Sequence, residues 1–177
     1  PNDLVSQPSS RDGERTLSAL IIGNESTSTV IADLLAEKGY GSVTVADDGI
    51  YTGDNPSPFG FDLVIYPDGV NYGSFMPLSG QQALVDYVED GGGLITTEWV
   101  SYEVEGGRLN TLMQVLPMRR NGGGTGQITY NVDLPDHPLA AGVPNTFSVV
   151  SGYSTCYLQF GYSVFNGSDL GVAVAAD

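Results

Sequence analysis

The sequence predicts an α/β domain: a three-layer sandwich with a mostly parallel central sheet and additional short β-strands in its C-terminal third. Three observations carry this expectation. Between Thr16 and Glu98 the chain twice runs a short apolar strand into a Gly- or Pro-marked turn and then into an amphipathic helix. The strand candidates there, such as Leu17 to Ile22, are short and mostly apolar, the pattern of strands covered on both faces. After Trp99 the pattern loosens into short runs with little helical periodicity.

Each element has its own local reason. Residues 1–15 are polar, contain Pro1, Pro8 and Gly13, and read as a linker or tail, leaving residues 16–177 as one domain. Leu17 to Ile22 is the first strand, and Gly23 to Thr29 the turn after it. The hydroxyl of Ser26 or Thr27 is suited to accept from the free amides of a first helical turn. Val30, Ile31, Leu34 and Leu35 form one apolar stripe at helical spacing, closed by Gly39. Ser42 to Val45 reads as a second strand, followed by an acidic, Gly- and Pro-rich surface loop from Ala46 to Gly60. Phe61 to Tyr66 is the third strand, ended by Pro67-Asp68-Gly69. Ser79 and Gln82 have capping-box spacing for a helix from Leu78 to Asp90, whose buried face is Leu84, Val85, Tyr87 and Val88. Gly91 to Gly93 stop it, and Leu94 to Thr97 is the fourth strand. This order predicts right-handed crossovers around a parallel core. Beyond it the sequence predicts a short helix within Leu109 to Leu116 and a glycine loop from Asn121 to Gly126. Short strands follow at Gln127–Val132, Phe147–Val150, Tyr157–Phe160 and Val172–Ala175.

Composition narrows the functional classes. The chain has 177 residues, 41% hydrophobic and 10% aromatic, which suits a globular domain with a substantial core. Its net charge is -15, from 21 acidic against six basic residues, and Lys38 is its one lysine. Such a surface repels phosphates and anionic lipid, so nucleic acid and membrane insertion are excluded as expected partners. An acidic, lysine-poor chain rich in Gly, Ser, Thr and Tyr suits an extracellular or cell-surface setting, or a high-salt one. Cys156 is the sole cysteine, so no disulfide within the chain and no cysteine-based zinc site is expected. No metal or other cofactor is predicted. No initiator Met or leader-like segment precedes Leu17, so the chain reads as a processed or excised piece of something longer. Asn24-Glu25-Ser26 and Asn166-Gly167-Ser168 fit the glycosylation sequon.

Three segments carry a resemblance. Phe61-Asp-Leu-Val-Ile-Tyr-Pro-Asp-Gly69, the helix Leu78 to Asp90 and Gly91-Gly-Gly-Leu-Ile-Thr-Thr-Glu98 resemble the class I glutamine amidotransferase-like superfamily, most of all its ThuA-like branch. Asp136-His-Pro-Leu-Ala-Ala-Gly-Val-Pro144 is similar to a segment such domains carry later in the chain. The resemblance covers roughly residues 16–176 and implies a flavodoxin-like or amidotransferase-like sandwich. It also implies a strand-to-helix elbow after Thr97, where active members hold a Cys beside amides that stabilise an oxyanion. Here the matching position is Glu98, followed by Trp99, and a carboxylate cannot run that acyl-transfer route. The resemblance further implies a closing strand after Asp177. A superficial likeness to a response-regulator receiver domain breaks at the phosphoacceptor, which falls on Pro67 with Asp68 one residue late. The acidic pair of receivers is reduced to Glu25, and their later lysine is missing.

In an open parallel sheet ligands bind beyond the carboxyl ends of the strands, at the switch point. Asn24, Glu25, Asp68, Asn71, Glu98 and Trp99 are expected to converge there. Glu98 could act as a general base or cation ligand, or be a carboxylate bonded to helix-end amides. Gly23 to Thr29 could cradle an anion, though it lacks the Lys of a phosphate loop and the glycine spacing of a dinucleotide site; a capped turn explains it equally. His137, the one histidine, either pins a loop or meets Cys156 in space. Asp47, Asp48, Asp54 and Asn55 could bind calcium or form a solvated loop; their spacing is not that of an EF-hand.

The leading reading is a non-catalytic amidotransferase-like domain, a structural or protein-interaction module whose partners are other chains or domains of the same larger protein. An exposed Tyr–Gly surface would also suit a glycan. The alternatives are a hydrolase or carbohydrate-processing enzyme using the Glu98 and Asp68 carboxylates, and a small-ligand sensor.

Overall fold

The structure, a computed structural model, describes residues 16–23, 26–69, 73, 75–167 and 172–175. The predicted tail at 1–15, the site candidates Asn24, Glu25 and Asn71, and both sequon serines' surroundings at 24–25 and 168 fall outside the described residues. In chain order the elements are β1 (Ser18–Ile22), α1 (Ser26–Glu37), β2 (Ser42–Ala46), β3 (Leu63–Tyr66), α2 (Leu78–Glu89), β4 (Gly93–Thr96) and α3 (Glu98–Glu105). Four longer or later strands follow: β5 (Met118–Val132), β6 (Thr146–Leu158), β7 (Tyr162–Gly167) and β8 (Val172–Ala175).

The first four strands form one parallel sheet in the order β2-β1-β3-β4. β1 and β3 occupy its centre, and this is why their sequences are mostly apolar: Ala19, Leu20, Ile21 and Ile22 are all buried, as are Val64, Ile65 and Tyr66. Leu20 and Ile22, with Val64 and Tyr66, face a core completed by Leu84 and Tyr87 of α2, Val100 and Val104 of α3, and Leu109, Leu112 and Leu116 beyond it. Each such side chain contributes about 1.5–3 kcal/mol by leaving water. Ala19, Ile21 and Ile65 point to the opposite face, where α1 packs on β1 and β2. The register runs Val45, Ile21, Ile65, Ile95 across that face, with the two central residues buried and the two edge residues exposed. Asp62 ties the lower end of the sheet together, accepting from the Ser18 amide at 2.8 Å and its hydroxyl at 2.9 Å.

Local departures from expectation have physical causes. In α1 only part of the predicted stripe is covered: Ile31 and Leu35 are half-buried, whereas Val30 and Leu34 are exposed, because the helix sits toward the sheet's β2 edge. The Ser79–Gln82 capping box does not form. α2 begins at Leu78 behind Pro77, which places Ser79 inside the first turn, and the Gln82 side chain instead donates to Asp86 at 2.7 Å. The end of α2 behaves as expected: Gly91 takes φ +93°, and the Gly92 amide reaches back to the Tyr87 carbonyl at 2.8 Å. Leu109 to Leu116 contains a single 3-10 turn, Leu112–Gln114, rather than a helix.

The C-terminal third differs most. The expected glycine loop from Asn121 to Gly126 is continuous strand within β5, and the two short strands expected around Tyr153 are one strand, β6. β5 and β6 pair antiparallel along nearly their whole length, with a bulge between Arg120 and Gly122. Pairing decides here: glycine has poor intrinsic strand preference, and the partner's ladder overrides it. β7 and β8 complete a four-stranded antiparallel sheet in the order β6-β5-β7-β8. β8 coincides with the strand expected at Val172–Ala175.

Tyr51, fully buried beside α2, supplies a test of the core. Its hydroxyl has no hydrogen-bond partner among the described residues, and burial, aided by Asp54, pushes its pKa up to about 12. The folded state therefore favours the neutral phenol. That contribution is intact below the ordinary value near 10 and lost as pH rises from there through about 12. Tyr51→Phe should leave stability at pH 7 unchanged or raised, since no bond is broken. It should also flatten the decline of the urea midpoint between pH 10 and 12.

Candidate functional site

The carboxyl ends of the parallel strands gather the turns in which a site was expected. β1 pairs with β2 on one side and β3 on the other, so the chain reverses its winding direction between β1 and β3, which makes that gap the switch point. It is tightly closed at its base. A Cβ on Gly23 would lie 3.0 Å from Ser28 Oγ and 3.6 Å from the Pro67 ring, so the β1 turn, the start of α1 and the β3 turn meet closely there. α1 starts at Ser26, which puts Ser26 and Thr27 inside the helix; the cap position before it lies outside the described residues.

Of the six predicted site residues, three are described: Asp68, Glu98 and Trp99. Asp68 follows β3 directly and is buried, at 3% exposure. Glu98 is the first residue of α3, immediately after the turn that ends β4, and is exposed. The two turns are joined by one hydrogen bond: Thr97 Oγ1 donates to the Asp68 carbonyl at 2.5 Å. Asp68 and Glu98 thus stand on neighbouring turns, as expected, in opposite environments. The elbow itself matches expectation, a strand running through Thr97 into a helix with an acid at its start. Glu98 faces solvent at the first position of α3.

Sequence reasoning missed what the antiparallel sheet brings to α3. Cys156 on β6 and Tyr130 on β5 both feel the charge of Glu98. Arg120 lies opposite Cys156 in the β5–β6 register and forms an ion pair with Glu105 of α3. The Cys156 thiol is pushed up, first by burial, then by Glu98, with Arg120 opposing and Glu105 reinforcing. A thiol in this position stays protonated near neutrality, the reverse of an activated nucleophile. Tyr130 is raised as well, by burial first and Glu98 second.

The other side of α3 is held by charge and ring contacts. Glu103 is fully buried, and its carboxylate is bridged by the Arg108 guanidinium, one bond being 2.9 Å. Trp99 packs edge-on to Tyr102 at 5.3 Å between centroids, and the guanidinium carbons of Arg108 and Arg120 lie 5.7 and 5.1 Å from the Tyr102 ring centre. Trp99 is thereby a packing residue of the elbow with one edge in solvent. Three of the five arginines are at or near this helix; the Arg119-Arg120 pair in an otherwise acidic chain was the available sequence signal.

The remaining candidates resolve locally. His137 is remote from Cys156 in its bonding: its Nε2 pairs with the Tyr162 hydroxyl at 3.1 Å, and its Nδ1 accepts from the Leu139 amide at 3.2 Å. It pins the loop between β5 and β6. Asp47 accepts from the Gly49 amide at 2.9 Å, and Thr52 binds Asn55 at 2.8 Å, so the acidic loop is organised by its own turns. Among the described residues no group of three or more His, Cys, Asp or Glu side chains could hold a metal ion. Among the same residues no helix is long and apolar enough to cross a membrane.

No family model matches this sequence, and no curated protein matches it by sequence. Solved structures do match in fold. A ThuA-like protein from Bacteroides uniformis superposes with a TM-score of 0.59 at 15% identity, over 86% of this chain and 65% of its own. A ThuA-like protein from Parabacteroides merdae gives 0.58 at 15% identity, over 80% and 63%. A cytoplasmic protein from Salmonella typhimurium gives 0.61 at 14% identity, over 87% and 80%. The fold is that of ThuA-like proteins, and the chain spans just under two thirds of the length of the Bacteroides and Parabacteroides proteins.

The proximity of Glu98 to Cys156 can be read in solution. Alkylation of Cys156 by iodoacetamide should reach half its maximal rate at a higher pH than in an unfolded control. Glu98→Gln should shift that midpoint down, since the neighbouring negative charge opposes the thiolate. An unchanged midpoint would separate the two groups.

Proposed function

We propose that this chain is a non-catalytic domain on a ThuA-like frame, serving as a structural or protein-interaction module of a larger, extracellular protein. The observation that carries the reading is the chemistry of the elbow. Glu98 holds the place where a thiolate would attack. The one cysteine nearby is shifted toward its protonated form, and the Thr97 hydroxyl is engaged with the Asp68 carbonyl. The one histidine is committed to Tyr162 and Leu139, which leaves it out of the role of base to a nucleophile at the elbow. The elbow keeps its shape through the Glu103–Arg108 and Glu105–Arg120 pairs, which serve stability rather than turnover.

The interaction side of the reading rests on surface chemistry. β6 exposes Val149, Val150, Tyr157 and Leu158, with Phe160 just beyond. Large apolar side chains gathered on one strand suit contact with other chains or domains of the same protein. Poverty in lysine and abundance of Gly, Ser, Thr and Tyr support the extracellular assignment, and the same tyrosines would suit a glycan.

A second reading has one observation in its favour. Asp68, buried, and Glu98, exposed, sit on adjacent turns, and carboxyls in unlike environments are what general acid–base cleavage of a glycosidic bond uses. One comparison separates the two. Wild-type protein and Glu98→Gln are assayed against panels of glycosides, esters and amides, with folding checked by circular dichroism. Neither should turn over substrate above background. A reproducible wild-type turnover that falls about 100-fold or more in folded Glu98→Gln overturns the non-catalytic reading.

A further inference from the structure

Asparagine stands directly before glycine at Asn121-Gly122 and at Asn166-Gly167. Such a pair can react with itself. The glycine backbone nitrogen attacks the asparagine side-chain carbonyl carbon, Cγ. A bond from that nitrogen to Cγ forms, the bond from Cγ to the side-chain nitrogen breaks, and the proton lost by the backbone nitrogen leaves with it as ammonia. Water then adds to one carbonyl of the cyclic imide and opens one ring C–N bond, which gives aspartate or isoaspartate. Water is the sole co-reactant. Glycine favours the attack because no Cβ crowds its nitrogen.

The fold treats the two pairs differently. Asn166 lies inside β7 with a strand on each side, opposite Asn131 of β5 and Val172 of β8, and Gly167 continues the ladder opposite Tyr130. Ladders on both sides hold the backbone extended, so ring closure there must wait for a local opening. Asn121 has the contrary setting. Arg120 is opposite Cys156 and Gly122 is opposite Thr155, so Asn121 stands opposite no residue of β6 and is the extra residue of the β5 bulge. On the other side of β5, pairing with β7 runs only from Tyr130 to Val132 and does not reach the bulge. A bulge residue is left out of the ladder and departs from extended dihedrals, and Asn121 is also exposed to water.

The surroundings accept the product as well. Arg119 and Arg120 are the only charged residues of β5, so a new carboxylate appears beside two cations, of which Arg120 already holds Glu105. The extra backbone atom of an isoaspartate falls where β5 already carries one residue more than its partner.

We propose that Asn121 is a site of spontaneous deamidation in the folded protein, converting to aspartate and isoaspartate through the imide formed with Gly122, while Asn166 is protected by its ladders. The modification needs no enzyme and accumulates with the age of each molecule. It adds one negative charge next to the Arg120–Glu105 pair that joins β5 to α3. This goes beyond the interaction-module reading and does not depend on it.

The test is incubation of the whole unglycosylated chain in mildly alkaline buffer, with peptide mapping by mass spectrometry at intervals and a parallel incubation in urea. The urea sample gives the rate of each pair without a ladder. Relative to it, folding should slow Asn166 about tenfold or more beyond Asn121, the ratio set by a ladder whose opening costs about 1.4 kcal/mol. The product at Asn121 should include isoaspartate, which an isoaspartyl methyltransferase labels and direct hydrolysis of the side-chain amide does not give. Asn121→Gln supplies a second readout, because its longer side chain disfavours ring closure. The acidic species that ion exchange resolves in aged wild type should be lost in this variant. Equal slowing of the two asparagines by folding overturns the proposal, as does an Asn121 that yields no isoaspartate. So does an acidic species that accumulates undiminished in Asn121→Gln.

Discussion

The parallel pairing of β1 with β3 is the constraint from which the rest of this molecule is hung. Both strands are buried on both faces, and each supplies side chains to the helix layers above and below. Because the register sets Leu20 beside Val64 and Ile21 beside Ile65, the two strands end at the same level. Their following turns therefore meet at the switch point, where Gly23, Ser28 and Pro67 are in close contact. β4 continues the register through Val64–Leu94 and Tyr66–Thr96, which delivers Thr97 to the Asp68 carbonyl and places Glu98 at the head of α3. Position of the elbow is thus a consequence of core packing, and its chemistry is a separate choice of residue.

That separation lets the same frame carry different residues at the elbow. A carboxylate at the first position of a helix is favoured by the free amides and dipole there, so Glu98 is a stabilising residue on general grounds. Around it the structure invests in order: a fully buried Glu103 with its Arg108 partner, and a Trp99–Tyr102 pair flanked by two guanidinium groups. Breaking the Glu103–Arg108 pair would strand a buried charge, which makes these residues essential to the shape of α3 whatever the domain does.

Much of the parallel half was legible because its signals are local. Leu17 to Ile22 reads as a buried strand from six adjacent residues, and Leu84, Val85, Tyr87 and Val88 mark their helix by spacing alone. The exposed Val30 and Leu34 were not legible, since periodicity states that a face is apolar and not that anything covers it. Nor was the failed capping box, where Pro77 set the start of α2 one residue ahead of Ser79. The antiparallel sheet hid its extent for a different reason. Whether Asn121 to Gly126 is loop or strand depends on a partner some thirty residues away, Thr155 to Ser151, and no local preference encodes that pairing. For the site, Asp68 and Glu98 followed from strand ends, whereas Cys156, Tyr130 and Arg120 reach α3 only through the fold of β5 and β6.

The two sheets therefore divide the fold: the parallel one sets the position of the elbow, and the antiparallel one packs on α3 through β5. Native-state hydrogen exchange tests this division most directly, because the slowest amides report the unit that opens only on global unfolding. The most protected amides are expected in β1 and β3, Ser18 to Ile22 and Leu63 to Tyr66, with β5 and β6 exchanging through a lower-energy opening. Protection greatest along β5 and β6, with β1 and β3 exchanging early, would contradict it.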